Sequence, residues 1–278
     1  MIDLQVNGYA GIDFLTADAE EWSVAARAMA QDGVGAYVAN LITSPYDVLS
    51  RAIRVAGKVA SIDARNAASC LGAHLEGPFL SLAKRGTHPQ SHLRLPDHSF
   101  VRSLLSYGPV LGMTLAPELP GALDLIAWLR SRNVLVSLGH SDATAEQAHA
   151  GFDAGAQTVT HLFNGMSQPT SRAPGLAGVA LTRSDVAVQI ICDEVHLAPE
   201  MVALGVAAAS TRFVLVTDAL SAAGAPDGNY RLGDLEITLA DGTARIPMDT
   251  SQAASDPSPV PSAAQSPRGP RLKALSSP

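Results

Sequence analysis

Eight short apolar runs recur along the chain: IDLQV (2–6), GAYVANLIT (35–43), CLGAHLE (70–76), VLGMTLA (110–116), VLVSLG (134–139), TVTHLF (158–163), VAVQIIC (186–192) and FVLVTD (213–218). Most are apolar almost throughout, the pattern of parallel strands covered on both faces, and the intervals between them are long enough for crossover helices. Residues 18–32 show how one crossover is written. Asp18, Glu20 and Glu21 open it, where the helix macrodipole favours negative charge, and Gly33 follows its end. Thr144 and Gln147 have the spacing of a capping box for another, with Gly155 near its stop. Eight such alternations predict an α/β fold, a (β/α)8 barrel, with a doubly wound open sheet as the alternative. No G-x-G-x-x-G phosphate loop follows any run, which weakens the alternative.

A chain of 278 residues that is 47% apolar can bury a core of that size. Its formal net charge is −7, its Lys and Arg residues are scattered, and no basic cluster is interleaved with aromatics, so nucleic acid is not an expected partner. The N-terminus has no basic segment followed by an apolar one, and no run approaches the ~18 apolar residues of a membrane span. A cytoplasmic protein without a membrane partner is expected. Cys70 and Cys192 lie far apart inside apolar runs, the usual setting of buried thiols, which fits a reducing compartment. The barrel is expected over residues 1–247. Near its end, YRLGDLEITLADGTARI reads as a hairpin turned by Asp241-Gly242. Thirteen of the thirty residues 249–278 are Ser or Pro, and residues 248–278 are expected to form a disordered tail.

In a barrel of parallel strands, reactive groups gather where strands end, because the loops there converge on one mouth. The third run offers His74 and Glu76, the fifth ends at His140, the sixth carries His161, and the eighth ends at Asp218. Any one of these alone reads as a helix cap, a solvated carboxylate or a hydrogen-bonded core histidine. Two imidazoles and two carboxylates on a common rim read differently. Two neutral imidazoles and one carboxylate suit Zn²⁺ or another divalent transition metal and leave a position open. Such a metal acidifies water and polarises a carbonyl, and a second carboxylate can then move protons. Asp218 is the candidate for that second role.

The phrases HLEGPFLS…KRGTHP, LGHSDAT, THLFNGM, PGLAG, DEVH and LVTDALSAAG, in this order, resemble the N-acetylglucosamine-6-phosphate deacetylases of the amidohydrolase superfamily. The resemblance runs from residue 2 to about residue 246. It implies an amidohydrolase barrel that hydrolyses N-acetylglucosamine 6-phosphate to glucosamine 6-phosphate and acetate, with one divalent metal as cofactor, Zn²⁺ first and Fe²⁺ as an alternative. Carried over residue by residue, it implies that Glu76, His140 and His161 hold the metal and that Asp218 is general base and acid. Thr87, His88 and His196 would contact the substrate, an amino-sugar phosphate. Asn164, the backbone of Gly165 and Arg172 would hold its phosphate, for which a guanidinium and backbone N–H groups are suited. A homodimer is an assembly open to such a chain. His92, His98 and His149 match no motif position and are expected at the surface.

Two departures bear on this reading. Many amidohydrolases end strand one with His-x-His, two further ligands for a binuclear site, where this chain has Gln5-Val6-Asn7. An amide is a poor ligand for such a metal, so the phrase resembles the one-metal branch. The resemblance also implies flanking segments that build an accessory β-sandwich, and a last barrel helix after strand eight. This chain starts at strand one and continues from GTARIP into the Ser/Pro-rich tail, so it resembles a truncated copy lacking both. A defective barrel that only binds metal or sugar phosphate is the alternative function, and an amidohydrolase acting on another N-acyl sugar is a third.

Overall fold

The computed structural model describes residues 1–62 and 65–245, so the expected tail lies outside the described residues. The chain alternates strand and helix from its start: β1 (Ile2–Val6), α1 (Ala19–Gln31), β2 (Ala36–Ile42), α2 (Tyr46–Ala60), β3 (Ser69–Glu76), α3 (His98–Leu105), β4 (Val110–Leu115) and α4 (Ala122–Arg130). It continues through β5 (Leu135–Leu138), α5 (Ala145–Asp153), β6 (Thr158–Val159), α6 (Gly175–Thr182), β7 (Ala187–Ile191), α7 (Pro199–Ala209) and β8 (Phe213–Val216). Spatial order in the eight-stranded sheet follows chain order, and its pairings are parallel. A doubly wound sheet would reverse direction at a switch point. Stepping always the same way instead wraps the sheet into a nearly closed (β/α)8 barrel.

The helices begin where local chemistry asks them to. Asp18 accepts from the N–H groups of Glu20 and Glu21 at 2.9 and 3.0 Å, and the Glu21 carboxylate accepts from the Asp18 N–H at 2.8 Å, a complete capping box. Thr144 and Gln147 form the same reciprocal pair at the start of α5. The buried faces of these helices, with Trp22, Ala25, Ala26 and Met29 on α1, cover strands that are themselves buried. β2 is buried from Tyr37 to Ile42.

β1 and β8 meet at a seam without a regular ladder. The N–H groups of Asn7 and Gly8 donate to the Ala219 carbonyl at 2.7 and 3.2 Å. The buried Asp3 carboxylate accepts from the Thr217 hydroxyl at 2.6 Å and from the Thr217 N–H at 3.3 Å.

Four expectations need correction. The sixth run does not stay extended to residue 163: β6 stops at Val159, because His161 and Phe163 take left-handed conformations (φ 28° and 73°) that break the ladder. The expected hairpin is a three-stranded antiparallel sheet, β9 (Gly228–Leu232), β10 (Leu235–Ala240) and β11 (Thr243–Arg245), with a second turn at Gly233-Asp234 besides that at Asp241-Gly242. It docks through the Gly233 N–H, which donates to Asp13 at 2.7 Å. Cys70 is buried as expected, but Cys192 is exposed because it lies just past the end of β7. His74 is not at the rim. It sits inside the barrel with Nε2 2.7 Å from the Thr114 hydroxyl, and burial pushes its imidazole down to about 4, so it is neutral. No helix among the described residues is long and apolar enough to cross a membrane.

Candidate active site

Three strand-end residues leave β geometry in the same way: His140, His161 and Asp218 have φ of 47°, 28° and 52°. Left-handed backbone is unfavourable for residues other than glycine and persists only where the surroundings enforce it. Here it accompanies convergence. His140 Nε2 lies 3.0 Å and His161 Nε2 3.1 Å from Glu76 Oε1, and the two Nε2 atoms are 3.1 Å apart. All three residues are buried. His140 Nδ1 is 2.8 Å from the Lys84 carbonyl, which can only accept. Nδ1 therefore carries the proton, and the lone pair of Nε2 faces the cluster.

The other oxygen of Glu76, Oε2, accepts from Asn40 Nδ2 at 2.6 Å and Gln5 Nε2 at 3.5 Å, which turns Oε1 towards the imidazoles. Burial pushes the Glu76 carboxyl up, but its two imidazole partners overcome this and hold it well below the ordinary carboxylate range. Three acceptor atoms this close repel one another unless a proton or a cation lies between them. Tetrahedral bonds of about 2.0–2.2 Å would set ligand atoms roughly 3.3–3.6 Å apart. The observed edges are close to that, so Glu76, His140 and His161 fit a divalent metal.

Gln5 and Asn7, where a binuclear site would have histidines, are occupied otherwise. Asn7 Nδ2 donates to Asp218 Oδ1 at 2.8 Å, and Asn7 Oδ1 accepts from Asn40 at 2.9 Å. Burial first, and the charge of Glu76 second, raises the Asp218 carboxyl above its ordinary value. That makes Asp218 a better proton acceptor than a solvated aspartate.

No protein-family model matches the chain. It is 36% identical over 248 residues to the N-acetylgalactosamine-6-phosphate deacetylase of Escherichia coli O157:H7, an alignment covering 88% of this chain and 65% of that protein. It is 35% identical over 244 residues to the N-acetylglucosamine-6-phosphate deacetylase of Vibrio furnissii, covering 87% and 61%. Its fold matches the N-acetyl-D-glucosamine-6-phosphate deacetylase of Mycobacterium smegmatis, solved as a mutant in complex with N-acetyl-D-glucosamine-6-phosphate, with a TM-score of 0.83 at 35% identity over 90% of this chain and 65% of that one. The chain is homologous to the N-acetylglucosamine-6-phosphate deacetylases. It spans less than two thirds of the length of these relatives.

The remaining residues implied by the deacetylase resemblance divide into two groups. His88 is buried beside the cluster, its Nε2 4.0 Å from Glu76 Oε1 and its ring centroid 4.4 Å from that of His140. Its Nδ1 meets the Thr43 N–H at 3.3 Å and the Thr43 hydroxyl at 2.9 Å. An N–H can only donate, so the ring proton of His88 sits on Nε2, facing the cluster. Burial, then the neighbouring His140, pushes this imidazole down to about 3. Gly165 has φ of 55°, and a Cβ there would lie 3.0 Å from His140 Nδ1, so any other residue would be strained and would press on that ring. Half-buried His196 is oriented by Asp193, whose Oδ2 is 2.7 Å from its Nδ1. Asn164 is half-buried next to Gly165.

Thr87 is half-buried next to His88, and Arg172 is exposed on the segment before α6; no contact joins either to the cluster among the described residues. Three contributors escaped sequence reasoning. The Lys84 carbonyl is a backbone group and leaves no side-chain signal. Glu118 accepts from the Ser141 hydroxyl and the Asp142 N–H, both at 2.7 Å, fixing the loop after His140, but a single loop carboxylate does not stand out in sequence. Asn40 could have been found, as an amide inside the apolar run AYVANLI.

Proposed function

We propose that this chain carries the barrel of a metal-dependent deacetylase acting on N-acetylglucosamine 6-phosphate, releasing acetate and glucosamine 6-phosphate. The observation that carries the reading is the convergence of Glu76 Oε1, His140 Nε2 and His161 Nε2 at 3.0–3.1 Å, with Asp218 tied to the same rim through Asn7. Glu76, His140 and His161 would hold one divalent ion, Zn²⁺ by the nitrogen and oxygen donor set. Bound there, the ion would supply a Lewis acid for the amide carbonyl and the attacking water. Asp218 accepts the proton of that water and then delivers it to the amine nitrogen as the amide C–N bond breaks. The Nε2–H of His88 is a donor for the substrate carbonyl oxygen, where charge develops. His196, held by Asp193, and Thr87 would contact the sugar. Asn164, the Gly165 backbone and Arg172 would take the phosphate, Arg172 by moving in from its exposed position. The barrel is assigned to residues 1–247, in the cytoplasm.

The test is acetate release and metal content measured on one purified sample. One equivalent of metal, with turnover that needs both the N-acetyl and the 6-phosphate groups, is the expected result. Metal binding without acetate release from any N-acetylhexosamine phosphate would overturn it. A relative named N-acetylgalactosamine-6-phosphate deacetylase supports a second reading, in which the 4-epimer is the better substrate. Comparing kcat/KM for the two epimers decides between them.

A further inference from the structure

Asn40 lies wholly buried in β2, and both hydrogens of its amide nitrogen are spent: one on Asn7 Oδ1 at 2.9 Å, the other on Glu76 Oε2 at 2.6 Å. Asn7 then donates to Asp218 Oδ1 at 2.8 Å. The result is an unbroken chain, Glu76–Asn40–Asn7–Asp218, which runs from β3 through β2 and β1 and crosses the barrel seam to the residue beyond β8. Its polarity is fixed, because a carboxylate at either end can only accept. Each amide must therefore turn its nitrogen outwards, Asn40 to Glu76 and Asn7 to Asp218.

This arrangement is poor as core packing. Asn40 Oδ1 and the neighbouring Gln5 Oε1 are buried with no hydrogen-bond partner among the described residues. An orphaned buried acceptor costs stability. The amide is better accounted for by what it holds.

We propose that Asn40 is a positioning residue that fixes the metal-ligating carboxylate and the proton-transferring carboxylate in one hydrogen-bonded frame. It holds Glu76 with Oε1 towards the imidazoles, and through Asn7 it sets the orientation of Asp218. The proposal rests on the metal-dependent reading of the site. Outer-sphere partners of this kind typically change metal affinity or activity by about 10–100-fold when removed.

Two variants of the full chain test it. Asn40→Leu removes the amide, and Asn40→Asp keeps its shape while leaving it at most one donor, the O–H of a protonated carboxyl. The readouts are thermal unfolding, Co²⁺ affinity by chelator competition, the absorption spectrum of the Co²⁺-loaded protein, and kcat and KM for N-acetylglucosamine 6-phosphate. The expected result in at least one folded variant is a 10–100-fold loss of Co²⁺ affinity, a changed cobalt spectrum, and a fall in kcat with KM little altered. A second expectation concerns coupling. Combining Asn40→Leu with Asn7→Leu should cost no more turnover than the worse single variant, because one chain is broken twice. Parental affinity, spectrum and kcat in every variant that folds would overturn the proposal while leaving the site reading intact. Loss of the folded barrel in both variants would assign Asn40 to stability and overturn it too. A parent chain that binds no Co²⁺ would overturn the site reading, and the role of Asn40 with it.

Discussion

His140 is set by groups outside its own phrase: the Lys84 carbonyl fixes its proton, and Gly165 closes against its ring. Glu76, His140, His161 and Asp218 were legible because apolar runs make their endpoints visible, whereas the carbonyl and the close approach of Gly165 emerge only once distant loops have packed. Gly165→Ala tests that approach. Its Cβ would lie 3.0 and 3.1 Å from two atoms of the His140 ring, at φ 55°, so the ring must shift. Metal affinity is expected to fall on the order of 10–100-fold with the fold retained, as read by chelator competition and circular dichroism. Unchanged affinity would show that the ring has room to spare. Asp218 should behave oppositely. If its proposed role is proton transfer, Asp218→Asn is expected to lose ~10²–10⁴ in turnover while keeping its equivalent of metal. Near-normal acetate release from the metal-loaded variant would remove Asp218 from that role.

Strand identity was easier to read than strand ends, since apolar runs mark where β structure is buried but not where left-handed residues stop the ladder, as at His161. That strands one and eight meet follows from a (β/α)8 barrel, but the contacts that replace a ladder at their seam were not legible, because they form between residues 3–8 and 217–219 only on closure. There a buried carboxylate does part of the work of a ladder. Burial, partly offset by the Thr217 hydroxyl, raises Asp3 from 3.8 to about 6. A group whose folded value lies above its unfolded one contributes stability that is present in full below the unfolded value and is lost as pH rises through the folded value. The window here is from about pH 4 to about pH 7. At 1.36 kcal/mol per tenfold change in proton affinity, the full difference amounts to about 3 kcal/mol. Asn at this position keeps an acceptor for Thr217 but does not titrate. The stability of the parent minus that of Asp3→Asn should therefore fall by about that amount between pH 4 and pH 7.5, measured by urea unfolding. A difference that stays flat with pH would show that Asp3 titrates as an ordinary surface acid.

Barrel strands and their covering helices protect one another, and protection thins towards β8. β7 is buried from Val188 to Ile191, whereas β8 has Phe213 exposed, Val214 and Leu215 half-buried and only Val216 buried. α6 buries five of its residues, but α7 buries only Gly205 and Ala209 and leaves Leu204 51% exposed. Across the seam Ile2 is 57% exposed. Among the described residues no helix follows β8 to cover this side. Apolar surface left in water forgoes ~25 cal/mol per Å², against domain stabilities of only ~5–15 kcal/mol. The 278-residue chain expressed alone is therefore expected to melt at low temperature, bind a hydrophobic dye and aggregate. The weakness should be local. Phe213→Lys, on the thin side, should leave stability within about 0.5 kcal/mol and improve solubility, whereas Phe79→Ala, in the closed core, should cost about 3–5 kcal/mol. Calorimetry and dye binding on the three proteins check this. A cooperative high-temperature transition without dye binding in the parent, or a large loss from Phe213→Lys, would show that β8 is covered as well as its neighbours.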